Sequence, residues 1–147
     1  MDTYSFANTI VLVNGIEIVG WDEGDDVIAI KKNAPPATVK VGAGGDACAS
    51  ISSDQSGTFM FKMKHTSPSN RYLQKLVNQA QNGNFVPIRV LFKDTARNDL
   101  GEGTDGIITG QPGISRGAGI TTNEWEIFVE RLDILLGIEA DEVNAIV

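Results

Sequence analysis

Apolar residues fall in short runs separated by turn-forming residues, a spacing that predicts strands rather than long helices. Residues 9–13 and 16–19 flank Asn14-Gly15, and an Asn-Gly pair supplies the positive φ that a two-residue hairpin turn needs at both central positions. Trp21 leads into the acidic turn Asp22-Glu23-Gly24-Asp25-Asp26, followed by a third strand at 27–30. Residues 31–46 read as a long irregular stretch with Pro35-Pro36 and Gly42, Gly44 and Gly45, within which 38–41 form a short strand or an extended arm. The clearest hairpin pattern joins 47–53 to 58–64 through Asp54-Gln55-Ser56-Gly57. In its second strand Phe59, Phe61 and Met63 alternate with Thr58, Lys62 and Lys64, with Met60 the exception on the polar side. Period two means that one face meets a core and the other meets solvent or a solvated wall.

One helix is expected next. Ser67 can cap it, Pro68 suits its first position, and Tyr72, Leu73, Leu76, Val77 and Ala80 form one apolar stripe before Asn82-Gly83 stops it. A helix with one greasy side packs on the flank of a sheet. Residues 85–92 read as a strand, 94–106 as a polar loop, 106–110 as a short strand and 111–122 as a glycine-rich loop. The β-rich run 124–136 reads as a long strand; Leu132, Leu135 and Leu136 also have tolerable helical spacing, which makes a helix the competing assignment. Residues 137–147 read as an acidic tail with apolar Ile138, Val143, Ile146 and Val147, either a loose end or an assembly arm. The sum is a mainly β chain: an antiparallel sandwich or barrel of about eight strands with one flanking α-helix, in a single domain over 1–147.

Charge changes the picture more than composition does. The 147 residues carry a net charge of −7, but unevenly: residues 1–30 hold −6, residues 31–97 hold +7 and residues 98–147 hold −8. Either the termini fold over the middle of the same subunit, or acidic and basic surfaces meet between copies in a head-to-tail assembly. The overall acidity argues against general affinity for nucleic-acid phosphates. No run reaches the roughly 18 apolar residues of a membrane helix, so no membrane insertion is expected, and the start lacks the basic region of a secretion signal. The single cysteine, Cys48, allows neither an internal disulfide nor a cysteine-based zinc site, which fits synthesis in a reducing cytoplasm.

Three strings match catalytic or binding signatures and fail on context. Gly113-Ile114-Ser115-Arg116-Gly117 fits the hydrolase elbow, but Pro112 precedes it, a glycine loop follows, and the only histidine, His65, lies upstream. Gly42-Ala43-Gly44-Gly45-Asp46-Ala47 fits a dinucleotide fingerprint, but a strand pattern follows where a helix N-terminus must sit. The acidic turn at 22–26, and separately Asp99, Glu102 and Asp105, lack the ligand spacing of a calcium loop. His65 and Cys48 have no partner at metal spacing. No catalytic residue, metal or cofactor is therefore assigned.

Read in order, Tyr4-Ser5-Phe6, Asn14-Gly15, Gly20-Trp21 with its acidic turn, the 41–45 glycine stretch, Asp54-Gln55-Ser56-Gly57 and Thr66-Ser67-Pro68-Ser69-Asn70 with Leu73 resemble the tail tube protein of contractile-tailed bacteriophages, over residues 4–136. The resemblance implies a barrel-like β-sandwich with one outer helix, six copies to a ring, and rings stacked into a hollow tube inside a contractile sheath. It implies relatives in phage-tail-like bacteriocins and type VI secretion tubes, and no catalytic residues. The partners it implies are further copies of the chain, the sheath, tape measure, baseplate and tail terminator proteins, with DNA only as passing cargo, in a virion tail assembled in the host bacterial cytoplasm. Lys31, Lys32, Pro35, Pro36, Val39, Lys40, Val41, Ile138, Val143, Ile146 and Val147 are the candidate contacts between subunits or rings. Ser50, Ser52, Thr58 and Lys62 are the candidate lumen wall, where Lys62 fits only if paired. The rival reading is a monomeric β-sandwich binding module, for a carbohydrate, using Trp21, Trp125 and the acidic turns.

Overall fold

In the computed structural model, which describes residues 4–137, Asn14 and Gly15 both take positive φ, 51° and 83°. That turn folds strand β1 (Thr9–Val13) onto a very short β2 (Ile16–Glu17). The remaining elements are β3 (Ile28–Lys32), β4 (Ala37–Val41), β5 (Ala47–Ile51), β6 (Gly57–Lys64), α1 (Ser69–Gln81), β7 (Ile88–Asp94), β8 (Asp99–Gly110) and β9 (Thr122–Leu135). Seven strands form one antiparallel sheet in the order β2-β1-β7-β8-β9-β6-β3, while β4 and β5 make a separate two-stranded sheet. The mainly β class with one helix is as expected, with nine strands among the described residues.

The pairing differs from the sequence expectation in two places. The segment 47–53 does not hairpin with 58–64. Strand β6 is paired on both sides: β9 holds one side over eight positions, from Gly57↔Val129 to Lys64↔Thr122, and β3 holds the other over five. β5 pairs instead with β4, so the short strand allowed at 38–41 is ordered from Ala37 to Val41. The second correction is β8, which runs through the segment read as a polar loop and absorbs the short strand at 106–110. Its glycines are the reason it looks like a loop and also the reason it fits. A Cβ on Gly103 would lie 2.7 Å from both Phe59 and Val129, so the position admits no side chain beneath the β6 and β9 residues that cover it.

The strands alternate as a half-buried sheet requires. Phe59, Phe61 and Met63 from β6, Trp125, Ile127 and Val129 from β9, and Val11, Val13 and Val90 from the other half all join one core with Leu73 and Val77 of α1. The sheet curls on itself. A Cβ on Gly101 of β8 would lie 3.2 Å from Ile30 of β3, although β3 stands three places away along the sheet. A seam therefore remains between β3 and the β7–β8 pair.

The helix starts one residue later than expected, at Ser69, with Pro68 as its cap residue. Ser67 still serves that start: its Oγ accepts from the Ser69 N–H at 3.2 Å and donates to the Val19 carbonyl at 2.5 Å, while Ser69 Oγ accepts from the Val19 N–H. Asn70 ties the same end to the sheet. Its Nδ2 donates to the Lys64 carbonyl and its Oδ1 accepts from the indole N–H of buried Trp125 at 2.9 Å. Asn70→Ala leaves that indole N–H without an acceptor, and an orphaned buried donor costs about 1–3 kcal/mol. The expected result is a lower urea midpoint with an unchanged m-value.

Candidate functional site

The surface most out of place in a lone subunit is the β4–β5 hairpin. All ten of its strand residues are exposed. Directly opposed residues of an antiparallel pair share a face, so the register Ala37↔Ile51, Val39↔Ala49 and Val41↔Ala47 makes one face wholly apolar. The other face carries Thr38, Lys40, Cys48 and Ser50. Val39, Val41 and Ile51 are 64%, 62% and 84% exposed, more than chance surface exposure of aliphatic residues on a single ribbon accounts for. An isolated two-stranded hairpin is marginal in water, and this one has a greasy side that none of the described residues covers.

Lys31 and Lys32 end β3 at the root of the hairpin, both exposed, with Lys32 Nζ donating to Gln55 Oε1 at 2.9 Å. Pro35 and Pro36 are exposed in the link to β4, and the Pro36 carbonyl accepts from the Ser52 N–H, closing the base of the ribbon. The candidate contacts Lys31, Lys32, Pro35, Pro36, Val39, Lys40 and Val41 thus cluster on one projecting arm and its root. Ile138, Val143, Ile146 and Val147 lie outside the described residues.

The four candidate wall residues are not brought together. Ser50 stands on the hairpin's polar face and Ser52 just beyond it. Thr58 is buried, with its hydroxyl donated to Asn33 Oδ1 at 2.8 Å, and offers no surface here. Lys62 alone lies on the broad outer face of the sheet, and it is paired, 3.1 Å from Asp26 and 4.0 Å from Glu124 across the β6–β9 ladder. That outer face, which sequence reasoning missed, carries charges of both signs joined in local pairs. Glu124 and Glu126 of β9 stand opposite Lys62 and Met60. Arg131 bonds Asp133, and Arg89 of β7 holds the nearly buried Glu102 of β8 at 2.6 Å.

Among carboxylates elsewhere, Asp54 is held below its ordinary range by the Ser56 hydroxyl and then the Ser56 N–H, both on its Oδ1. Asp22 is lowered by the Thr122 hydroxyl first and the Glu23 N–H second. The first bonds lie within the loop that precedes β6, and the Thr122 bond ties the acidic turn to the start of β9. His65 Nδ1 accepts from the Thr121 N–H, which fixes the end of the glycine-rich loop beside β6. Ser115 lies on that exposed loop with no helix after it. The two tryptophans belong to the interior: Trp125 is buried, and Trp21 packs edge-on against Phe61 and Phe6. Neither offers the flat exposed ring that a sugar-binding module needs. No cluster of three metal-ligating side chains occurs among the described residues.

Solved structures share this fold of a curled antiparallel sheet with one flanking helix. The cap that terminates the tube of the anti-feeding prophage superposes with a TM-score of 0.64 at 10% identity, over 92% of this chain and 93% of that one. The sheath/tube terminator of the extracellular contractile injection system PVC gives 0.64 at 13% identity over 92% and 98%. A chain of the PVC sheath–tube complex gives 0.62 at 13% over 91% and 92%. A search of curated sequences found no match. The chain belongs to the bacteriophage PhiTE tail tube protein family, whose model matches residues 1–137. It is a structural tail tube protein.

Proposed function

We propose that this chain closes into six-membered rings that stack into the hollow inner tube of a contractile phage tail, through which the genome passes into the host. The observation that carries the reading is the fully exposed, one-side-apolar β4–β5 hairpin. A stable monomer has no use for such a ribbon; a tube subunit needs an arm. The sheet also ends in two open edges, β2 and β3, whose unpaired backbone groups favour pairing with another copy. Lys31, Lys32, Pro35, Pro36 and Val39–Val41 make contacts between copies, with residues 137–147 as a second arm of the same 1–147 domain. Ser50, Ser52 and Lys62 face the channel, with Thr58 behind them.

The partners proposed with this reading are further copies, a surrounding sheath, a terminator, a baseplate and an internal tape measure, with DNA as cargo and assembly in the bacterial cytoplasm. The neighbouring folds come from sheath–tube, terminator and baseplate structures. The channel works passively. Asp26 and, across the β6–β9 ladder, Glu124 cancel the charge of Lys62 locally, which weakens its hold on a passing phosphate by counterion release. No covalent chemistry is assigned to any residue. Electron microscopy of the purified protein at rising concentration tests the reading: rings or hollow filaments are expected, and a species monomeric at every concentration and salt overturns it.

A further inference from the structure

We propose that the seam between β3 and the β7–β8 pair is the receptor for the β4–β5 hairpin of a second copy of this chain; the assignment rests on the tube reading above. Two adjoining hollows make up the seam. One, of about 200 Å³, is mostly apolar, floored by Ile28, Ile30, Phe92, Leu100 and Ile134 with Leu136 and Asp99 at its rim, the Asp99 carboxylate accepting from the Gly137 N–H. The other, of about 480 Å³, shares Ile28 and Phe92 and adds the rings of Tyr4 and Phe6. Its polar wall is acidic: Asp22, Glu23, Asp25 and Asp94. Together they form a trough with a greasy floor and a negative rim.

The hairpin is the complement of that trough. Val39, Val41 and Ile51 cover its apolar face, and Lys40 stands on the opposite face of the same narrow ribbon. A lysine stem lies along apolar surface and carries its ammonium past the edge to a polar rim. Charge decides which copy-to-copy contact fits. Lys40, Glu23 and Asp25 have no ion-pair or side-chain hydrogen-bond partner among the described residues, so their charges are free for another molecule. Asp22 and Asp94 are already engaged within the subunit, by Thr122 and by the N–H groups of Ala96 and Arg97. A further apolar hollow, where Leu76 and Ala80 of α1 meet Phe85, Val86 and Ile107, has no acid in its lining and offers Lys40 nothing. The chain's own hairpin does not cover the seam, since every one of its strand residues is exposed. A head-to-tail contact of this kind is heterologous, and repeated contacts of that kind close a ring or extend a filament.

Two experiments test the receptor separately from the tube. Lys40→Glu, and independently the pair Glu23→Lys/Asp25→Lys, are each expected to raise the concentration needed for tube formation at least tenfold. The triple variant, in which the charges are exchanged, is expected to return within about threefold of the natural chain; absence of that rescue overturns the proposal. In a Cys48→Ser background, Val39→Cys combined with Leu136→Cys is expected to give a ladder of disulfide-linked oligomers on oxidation, which neither single cysteine gives. Tubes that form normally without the ladder overturn the receptor and leave the tube reading standing. A ladder that appears only when the chain is shortened after Gly137 shows that its own C-terminal residues hold the seam, and equally overturns the proposal. Failure of the natural chain to assemble at all removes the tube reading instead.

Discussion

Replacing Val39, Val41 and Ile51 together by threonine is expected to abolish tube formation and leave the subunit folded. Threonine keeps the β-branched shape that suits a strand, so the ribbon itself persists. Each change puts a hydroxyl where an interface needs a methyl group. Burying a hydroxyl without a partner costs about 1–3 kcal/mol by protein mutational data. Three such sites cost each arm about 4 kcal/mol, or roughly a thousandfold in association at 1.4 kcal/mol per tenfold. In the lone subunit the same residues are mostly in water, so folding stability moves by no more than about 0.5 kcal/mol. Sedimentation and micrographs read the first effect, and a thermal melt reads the second. Tubes of natural length from the triple variant would remove the hairpin from the assembly.

The largest effect on folding is expected at Phe61→Ala. Phe61 is fully buried, with Trp21 edge-on at 5.4 Å and Phe59 at 6.1 Å. Truncating a buried phenylalanine costs about 3–5 kcal/mol through lost burial plus the cavity left behind. For a chain of this size that corresponds to a fall in Tm of roughly 10 °C. The measurement is best made in the threonine background, because association of folded subunits otherwise raises apparent stability by mass action. A drop of under about 1 kcal/mol would mean that Trp21 collapses into the space and that the core is less tightly set than its packing indicates.

What the chain discloses without a structure depends on whether the signal is local. The Asn14-Gly15 turn, the helix stripe around Leu73 and Val77, and the alternation of Phe59, Phe61 and Met63 are written in neighbouring residues, and each was legible. Partner choice is not local. Asp54-Gln55-Ser56-Gly57 looks like a hairpin turn, but β6 has both edges taken by β9 and β3, and its pairing is decided far along the chain. β8 was hidden because Gly101 and Gly103, which read as loop, are demanded by Ile30, Phe59 and Val129 packing over them. The arm was half visible. Val39, Lys40 and Val41 stand out, but Ala37, Ala47 and Ala49 are too small to announce an apolar face until the β4–β5 register lines them up with Ile51. The seam was not legible at all, since its floor is gathered from strands β3, β7, β8 and β9 only when the sheet curls.

The arm's attachment has a mechanical consequence. Its two stems run directly into β3 and β6, whose first shared rung is Lys32 opposite Gly57. Tension applied to the arm therefore enters the body through the interior strand β6 as well as the edge strand β3. β6 is gripped by eight rungs to β9 and five to β3, loaded lengthwise so that they resist together and do not unzip one by one. A pull that would peel a lone peripheral ribbon is here shared by the last three strands of the sheet, β9, β6 and β3.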